Sequence, residues 1–471
     1  MPTCPHRDPL LAWPPAVTQP PVVPRALVLL ALLGAASIAC DDNVTQFVFD
    51  ARILDGEGGN PAAGTDAQTL RVGISQADLP VRELEYPIDD GQFDAALELA
   101  SFSGITRLRI EIEGATTDLR TAPPAFVPTT TQGFLRVVTA APSSCTRVSF
   151  NAMEAPRASF GMIQSGTFSL VVGGTAPESE QVEFFDEVEW ESRLFTESFS
   201  LSFLGPTRAA TIGEGKILVV PTDAGPFIFD MLDATNRVTQ LVLPGSAGEA
   251  SALASIPGVG AMILGGQSGG TSSASAFLVE PDGTITSMEL TEPRAGAVAV
   301  AIGESVLIVG GDETGSAELL FPTSSVSAPV PNVADGVRVG GLLVGDGESR
   351  ALLIGGAGDG GSVRQDTLRF DDCPNDCVAT DGPSWSTARL NAVVPENGTL
   401  IVGGEDSQLV DQVVWSGGSV AVQPLLDLQV PRASAGAVVY ESGAFVVAGG
   451  RDDVSDRDDF EFCVPAALSS L

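Results

Sequence analysis

The stretch Val306-Leu307-Ile308-Val309-Gly310-Gly311 decides the fold, because an apolar run ending in a glycine pair recurs along the chain. Six such pairs occur: Gly173-Gly174, Gly265-Gly266, Gly310-Gly311, Gly355-Gly356, Gly403-Gly404 and Gly449-Gly450. Their first glycines lie 92, 45, 45, 48 and 46 residues apart. The longest interval holds a copy without glycines at its midpoint, residues 217–222. The sequence therefore contains seven repeat units, a period typical of repeat architectures.

An arginine precedes most of these motifs by a similar distance and fixes the register of the repeat. The arginines are Arg157, Arg208, Arg294, Arg338, Arg389 and Arg432, and only the third unit lacks one. Between arginine and glycine pair stand an apolar run and a tight turn such as Ser442-Gly443, which indicate a β-hairpin. A third and a fourth strand follow, so that each unit predicts one four-stranded propeller blade.

The arginine, the hairpin and the apolar run with Gly-Gly resemble kelch repeats over residues 146–465. This resemblance implies an all-β chain with a seven-bladed kelch-like β-propeller. The glycine pair would end a buried strand beside a neighbouring blade, where a Cβ atom would clash. The kelch Tyr and Trp are mostly missing, and Trp190 and Trp385 are the best candidates for the Trp.

The last unit predicts only three strands, and residues 146–157 align with the fourth strand of other units. We therefore expect this upstream segment to complete the last blade. Cys145 and Cys463 would then face each other, and a disulfide between them would contribute about 4 to 5 kcal/mol in the chain-entropy model. The remaining pair, Cys373 and Cys377, would close a small loop in the insertion between the fifth and sixth units.

The N-terminal residues 1–39 indicate an export leader, because the apolar run 26–39 is too short to span a bilayer. The sequence Ser37-Ile38-Ala39-Cys40 resembles a bacterial lipobox, which implies a lipid on Cys40 and a tether over 40–43. An ordinary signal peptide is the alternative, and the Pro-rich start leaves open a translation start after Met1. Together with the cysteines, the leader predicts an oxidising envelope compartment.

Residues 44–130 alternate apolar and polar side chains in short runs such as 107–112, which predicts a small β-sandwich domain, Ig-like or similar. Residues 131–145 are expected to be a linker, and 466–471 a tail. The whole chain is thus predicted to be a β-sandwich followed by a propeller.

A net charge of −36 and a pI near 4.1 exclude a basic groove for nucleic acid. The one histidine, His6, lies in the predicted leader, and the tyrosines after it are Tyr86 and Tyr440. Copper chemistry of the galactose oxidase type, which some kelch propellers carry, needs His ligands and is therefore excluded.

We predict no catalytic residue, no metal site and no cofactor. The acidic clusters 183–191 and 452–459 lack the spacing of calcium loops, so we interpret them as solvated faces. The spacing of Cys373 and Cys377 favours a disulfide over a metal site. Glycan binding would use aromatic platforms, for which Trp190, Trp385 and Trp415 remain.

The sequence thus predicts a monomeric, non-catalytic lipoprotein of the bacterial cell envelope, at the outer membrane or cell surface rather than the inner membrane. Its propeller loops would bind a protein or glycan partner. The alternative is a carbohydrate-acting or isomerising enzyme, as in sialic acid mutarotation by a kelch propeller, with Arg and Glu converging in the central pocket. Small or apolar groups there would speak against the enzyme.

Overall fold

The computed structural model describes residues 46–468 except 77–79, 93–95, 101–105, 124–133, 178–180, 196–204, 234–236, 246–248, 332, 334–337, 386, 388 and 397. The predicted leader and Cys40 lie outside the described residues. Gln46–Leu471 form one compact unit. The regular secondary structure of the described residues is almost entirely β-strand, with a three-residue 3₁₀ helix at Asp359–Gly361. None of their helices is long and apolar enough to cross a membrane.

Seven strands come first along the chain and form two sheets, with orders β4-β1-β7 and β3-β2-β5-β6. They are β1 (Gln46–Leu54), β2 (Ala67–Gln76), β3 (Arg82–Pro87), β4 (Ala96–Ala100), β5 (Thr106–Gly114), β6 (Asp118–Thr121) and β7 (Phe134–Val138). The predicted alternation is confirmed in β5, where Leu108, Ile110 and Ile112 are buried. These side chains share one apolar core with Leu135 and Val137 of the other sheet.

The strand β7 lies within the segment 131–145 that we expected to be a linker. It pairs parallel to β1, with Asp50 opposite Phe134 and Leu54 opposite Val138. The alternation of Leu135, Arg136 and Val137 explains the strand, because it buries two side chains and leaves Arg136 half-buried. The first two sheets therefore extend to Val138.

Seven further sheets of the described residues follow in chain order, and every strand pairing within them is antiparallel. Their strands are β8 (Ser144–Ala152), β9 (Gly161–Ser165), β10 (Phe168–Val172), β11 (Val182–Asp186), β12 (Glu191–Leu194), β13 (Thr207–Gly213), β14 (Lys216–Pro221), β15 (Phe227–Asp230), β16 (Val238–Gln240), β17 (Ala252–Ile256), β18 (Gly260–Leu264), β19 (Gln267–Ser268), β20 (Thr271–Val279), β21 (Ile285–Arg294), β22 (Val298–Ile302), β23 (Ser305–Val309), β24 (Ala317–Phe321), β25 (Val326–Pro329), β26 (Leu342–Gly345), β27 (Ala351–Ile354), β28 (Thr367–Asp371), β29 (Val378–Asp381), β30 (Leu400–Val402), β31 (Leu409–Ser416), β32 (Ser419–Asp427), β33 (Gly436–Val439), β34 (Phe445–Ala448) and β35 (Asp459–Val464). The first sheet is β9–β12, the second β13–β16, the third β17–β21, the fourth β22–β25, the fifth β26–β29, the sixth β30–β32 and the seventh β33–β35 with β8.

The upstream strand β8 completes the seventh sheet, as the sequence predicted. It pairs antiparallel with β35, and Cys145 lies directly opposite Cys463. The seventh sheet thus takes its fourth strand from a point in the chain before the first sheet. A backbone hydrogen bond also joins the first repeat unit to the seventh, because the N–H of Ser159, before β9, donates to the carbonyl of Ser434, before β33, at 2.9 Å.

Apolar cores lie between consecutive sheets. Val220 and Ile228 of the second sheet, for example, pack with Ile263 and Phe277 of the third. The same holds for each successive pair of sheets, and the seventh packs on the first through residues such as Phe460. Every one of these sheets is therefore buried between two neighbours.

The glycine pairs stand where neighbouring sheets approach most closely. A Cβ atom on Gly310 would lie 2.3 Å from the carbonyl oxygen of Arg338 in the next sheet, and Gly403 meets Arg432 in the same way at 2.1 Å. Both glycines also have positive φ, 71° and 63°. Only glycine combines this backbone conformation with this contact, as expected from the sequence.

Both predicted disulfides are present, Cys145–Cys463 and Cys373–Cys377. The second lies in a different place from the one expected. It follows β28 and spans the turn into β29, within the fifth sheet and not in an insertion between units. The first fixes β8 to β35 across a sequence separation of 318 residues.

We predict that the double variant Cys145→Ala/Cys463→Ala unfolds with a free energy about 4 to 5 kcal/mol lower than the wild type, because the lost cross-link closes a very long loop. The matched variant Cys373→Ala/Cys377→Ala should lose only about 2 kcal/mol, since its loop is short. Urea unfolding followed by tryptophan fluorescence measures both values. Equal losses would contradict the role assigned to the long-range bridge.

Candidate functional site

Five of the six predicted repeat arginines are buried and bind groups of their own sheet or repeat unit. Nη1 of Arg294 donates to the carbonyl of Gly310 at 2.7 Å, and Nη1 of Arg432 donates to that of Gly449 at 2.6 Å. Arg157 and Arg338 reach the first glycine of their units, and Arg389 reaches the carbonyl of Ile401. The guanidinium groups therefore satisfy the carbonyls at the ends of the second strands.

A carboxylate faces each of these five guanidinium groups. Nε of Arg294 lies 2.6 Å from Glu318, and Nε of Arg432 lies 2.9 Å from Glu461. Burial alone would raise the pKa of the Glu318 carboxyl, but hydrogen bonds, among them one from Arg294, outweigh it and keep the pKa below its ordinary value. The five pairs are Arg157–Glu183, Arg294–Glu318, Arg338–Asp366, Arg389–Asp411 and Arg432–Glu461.

The second and third sheets replace this ion pair with an apolar side chain. Glu318 stands opposite Ile308, two residues before Gly310. At the equivalent place, Phe227 stands opposite Val219 in the second sheet, and Phe277 opposite Ile263 in the third. Both phenylalanines are buried. A carboxylate there without its arginine would be a buried unpaired charge.

Arg208 departs from the role expected of it. In four units, the second glycine donates its N–H to the carbonyl of the next unit's arginine, for example Gly311 to Arg338 at 3.0 Å. The N–H of Gly174 donates instead to the carbonyl of Gly205, at 3.0 Å. Gly205 therefore occupies the arginine position of the second unit, and Arg208 lies three residues later, on β13.

The first strands of six of the seven sheets line one central cavity of about 990 Å³, and in the sixth unit the segment 391–396 before β30 takes this place. Its wall is mostly small or apolar, with side chains such as Ala254, Ala299 and Val344. One equivalent residue of each repeat unit stands near the start of its cavity-lining segment, and five backbone hydrogen bonds join neighbouring members of this set. We call these residues the rim: Ser159, Thr207, Ala250, Gly296, Gly340, Asn391 and Ser434. Except for Thr207, they have positive φ.

Four charged residues line the cavity among the residues that the structure describes: Arg208, Glu249, Asp346 and Glu396. Asp346 accepts a hydrogen bond from Nε of Arg350 at 2.6 Å. Glu396, from the turn before β30, reaches Thr211 of the second sheet, which donates its N–H at 2.8 Å and its hydroxyl at 2.7 Å. Burial raises the pKa of Glu396. Two carboxylates are thus engaged with protein groups.

The first acidic cluster is not the solvated face that we expected. Glu183 and Glu187 are fully buried. Both carboxyl groups find partners inside the protein, since Glu183 binds Arg157 and Glu187 accepts hydrogen bonds from Gln164 and Ser169. Burial raises the pKa of Glu187 to about 8.

The second acidic cluster is likewise more than a solvated face. Arg457 bridges Asp452 and Asp459 in it, and Asp459 is buried. Within the described ranges, no group of three or more His, Cys, Asp or Glu side chains is placed to hold a metal ion.

The candidate tryptophans lie in three different environments. Trp190 is buried against Phe462, and Trp385 is buried and donates its Nε1–H to Asp411 at 3.1 Å. Trp415 lines the cavity, with the guanidinium of Arg350 4.9 Å from its ring centre. The three rings therefore do not form one binding platform.

We predict that Arg294→Met lowers the free energy of unfolding by about 3 to 5 kcal/mol, because it leaves Glu318 buried and unpaired. The double variant Arg294→Met/Glu318→Phe should recover most of this loss, since phenylalanine holds that place in two other sheets. Chemical unfolding measures both. The exposed Arg193→Met is the control and should cost less than about 1 kcal/mol. A double variant no more stable than the single one would contradict the prediction.

Glu187 gives a second prediction, on pH. The folded chain keeps this carboxyl protonated up to a pKa of about 8, whereas the unfolded chain ionises it near pH 4.5. The folded state therefore binds an extra proton in this window, and its stability falls as the pH rises through it. Glu187→Gln should flatten the fall and be more stable than the wild type at pH 8, by more than about 1 kcal/mol. Urea unfolding at pH 5, 6.5 and 8 measures this, with the half-buried Glu191→Gln as control. Parallel profiles for Glu187→Gln and wild type would refute it.

The sequence matches no family model and no curated protein. Among solved structures, it is similar to one titled "Structure of YjhT", with 11% sequence identity and a TM-score of 0.42. The similarity covers 66% of this chain and 96% of that chain. A likeness this distant carries no conclusion about the activity of either chain.

Proposed function

We propose that this protein is a non-catalytic recognition protein of the bacterial cell envelope, whose loops bind a protein or glycan partner. The observation that carries the proposal is the character of the central cavity. Its wall is mostly small and apolar, and two of its carboxylates are engaged by Arg350 and Thr211. General acid–base catalysis would require a placed pair of titratable groups, and Arg208 forms no ion pair with a carboxylate within the described part of the cavity.

We also propose that the seven sheets are the blades of a kelch-like β-propeller. Three features support this: the central cavity that all seven repeat units line, the cores between successive sheets, and the packing of the seventh sheet on the first. The two sheets before it would form a β-sandwich domain at the membrane side. Propellers use their loop-bearing faces as binding surfaces, which is an analogy at the level of fold.

We further propose that a lipid on Cys40 attaches the protein to a membrane of the cell envelope. The two disulfides favour an oxidising compartment outside the cytoplasm. The lipid would hold the sandwich near the membrane and direct the propeller away from it, so the recognition face would be presented to the surroundings of the membrane.

We predict that the partner contacts only one end of the propeller. The full-length chain would carry a photo-cross-linking amino acid at Asp406, which follows a glycine pair, or at Glu304, in a hairpin turn at the other strand ends; both positions are exposed. Cross-linking in native envelopes, read by mass spectrometry and run beside a glycan panel, should capture one reproducible partner from one position only. The Cys40→Ser variant shows in the same fractions whether capture depends on the anchor.

Absence of any partner at both positions, together with a silent glycan panel, would contradict recognition. Chemical conversion of a panel sugar would instead establish the alternative, a carbohydrate-acting or isomerising enzyme.

A further inference from the structure

Arg208 differs from the other repeat arginines because its side chain has no partner among the residues that the structure describes. Its side chain is exposed to the space of the central cavity. Among the described residues, it makes no hydrogen bond and no ion pair, whereas Arg294 or Arg432 binds a carboxylate and several carbonyls. In this unit the backbone carbonyl of Gly205, and not that of an arginine, accepts the hydrogen bond from the glycine pair of the first unit. Arg208 is therefore not needed to join the sheets.

The position of Arg208 is unfavourable for the protein alone. The guanidinium of Arg208 is open to the cavity, but protein surrounds it on its other sides, and this desolvation lowers its pKa. A charge withdrawn from bulk water costs free energy unless a counter-charge or hydrogen-bond acceptors compensate. No described residue does so, which leaves the guanidinium open to an anionic group that enters the cavity.

The surroundings restrict what this group can be. The protein carries a net charge of −36, and Arg208 is the one cation among the described residues that line the cavity. Glu249 lies near the same rim, without pairing with Arg208. A ligand with several negative charges would be repelled, whereas one carboxylate matches the planar fork of a single guanidinium.

We propose that the central cavity binds a small molecule through a single carboxylate, held by Arg208. The rim residues Ser159, Asn391 and Ser434 would offer hydrogen bonds to a polar body, and Ala254 and Ala299 would contact its apolar part. The cavity volume of about 990 Å³ lies within the range of pockets that bind small molecules. This site is separate from the loops proposed to bind a partner and does not depend on that proposal.

Chemical modification of the full-length protein tests the site with the smallest probe. Phenylglyoxal reacts with accessible guanidinium groups, and peptide mapping reads the modified arginines. We expect Arg208 to react while the five buried arginines do not. Sodium acetate at 100 mM should slow its modification several-fold, whereas acetamide and sodium chloride at the same concentration should not.

Three variants extend the test to binding of larger probes, glucuronate and benzoate, compared with glucose and benzamide. Arg208→Gln should weaken binding of both carboxylates about tenfold or more, as expected for the loss of a charged hydrogen bond. Arg208→Lys keeps the charge but not the fork and should lie between. The control Arg193→Gln removes an exposed surface charge and should bind as the wild type does. Circular dichroism and thermal unfolding confirm that each variant is folded.

Several outcomes would overturn the proposal. These are an unreactive Arg208, equal protection by acetate and acetamide, or unchanged carboxylate binding in a folded Arg208→Gln variant. Stronger protection by inorganic phosphate than by acetate would also overturn it, because the site would then favour a phosphate. Each of these results is independent of whether cross-linking finds a partner at the loops.

Discussion

The structure depends on a buried arginine that holds two neighbouring sheets at once. The side chain of Arg432 binds Glu461, Asp459 and the carbonyl of Gly449 within its own sheet, while its backbone carbonyl accepts the N–H of Gly404 in the sheet before. A Cβ on the preceding glycine would strike the same carbonyl. Arginine, carboxylate and glycine pair are thus parts of one junction, and each needs the others. The same junction joins the seventh sheet to the first, because the backbone carbonyl of Arg157 accepts a hydrogen bond from the N–H of Gly450.

Two sheets dispense with this junction, and the exceptions show why its parts occur together. Where the arginine is lost, as at Gly205, the carboxylate has become a buried phenylalanine, Phe227. A buried carboxylate needs its cation, whereas an apolar side chain of similar size packs without one. The second sheet therefore keeps its place without this ion pair, through apolar contacts and backbone hydrogen bonds such as those between Gly174 and Gly205. The arginine of this unit, Arg208, lines the central cavity instead.

The sequence predicts the features that depend on local pattern and register. The glycine pairs, five arginines, the strand β8 and the Cys145–Cys463 disulfide could be found this way, because each follows from the repeat register. The Cys373–Cys377 disulfide follows only from its short spacing, which does not show where it lies in the fold. The role of Arg208 could not, since a shift of three residues lies within the variation between units. Burial of Glu183 and Glu187 was also missed, because their partners Arg157 and Ser169 are distant in sequence. The carboxylates, however, recur seven to eleven residues after five of the glycine pairs, a signal that could have revealed them.

The strand β8 imposes an order on how the molecule can be completed. Its partner β35 lies more than three hundred residues downstream. Because synthesis proceeds from the amino end, β8 has no partner strand until nearly the whole chain has been made. During that time one side of β8 is an uncovered strand edge, able to pair with another chain. During synthesis, β8 can therefore pair either with β35 of its own chain or with a strand of another chain, and correct completion of the seventh sheet requires β35 to arrive first.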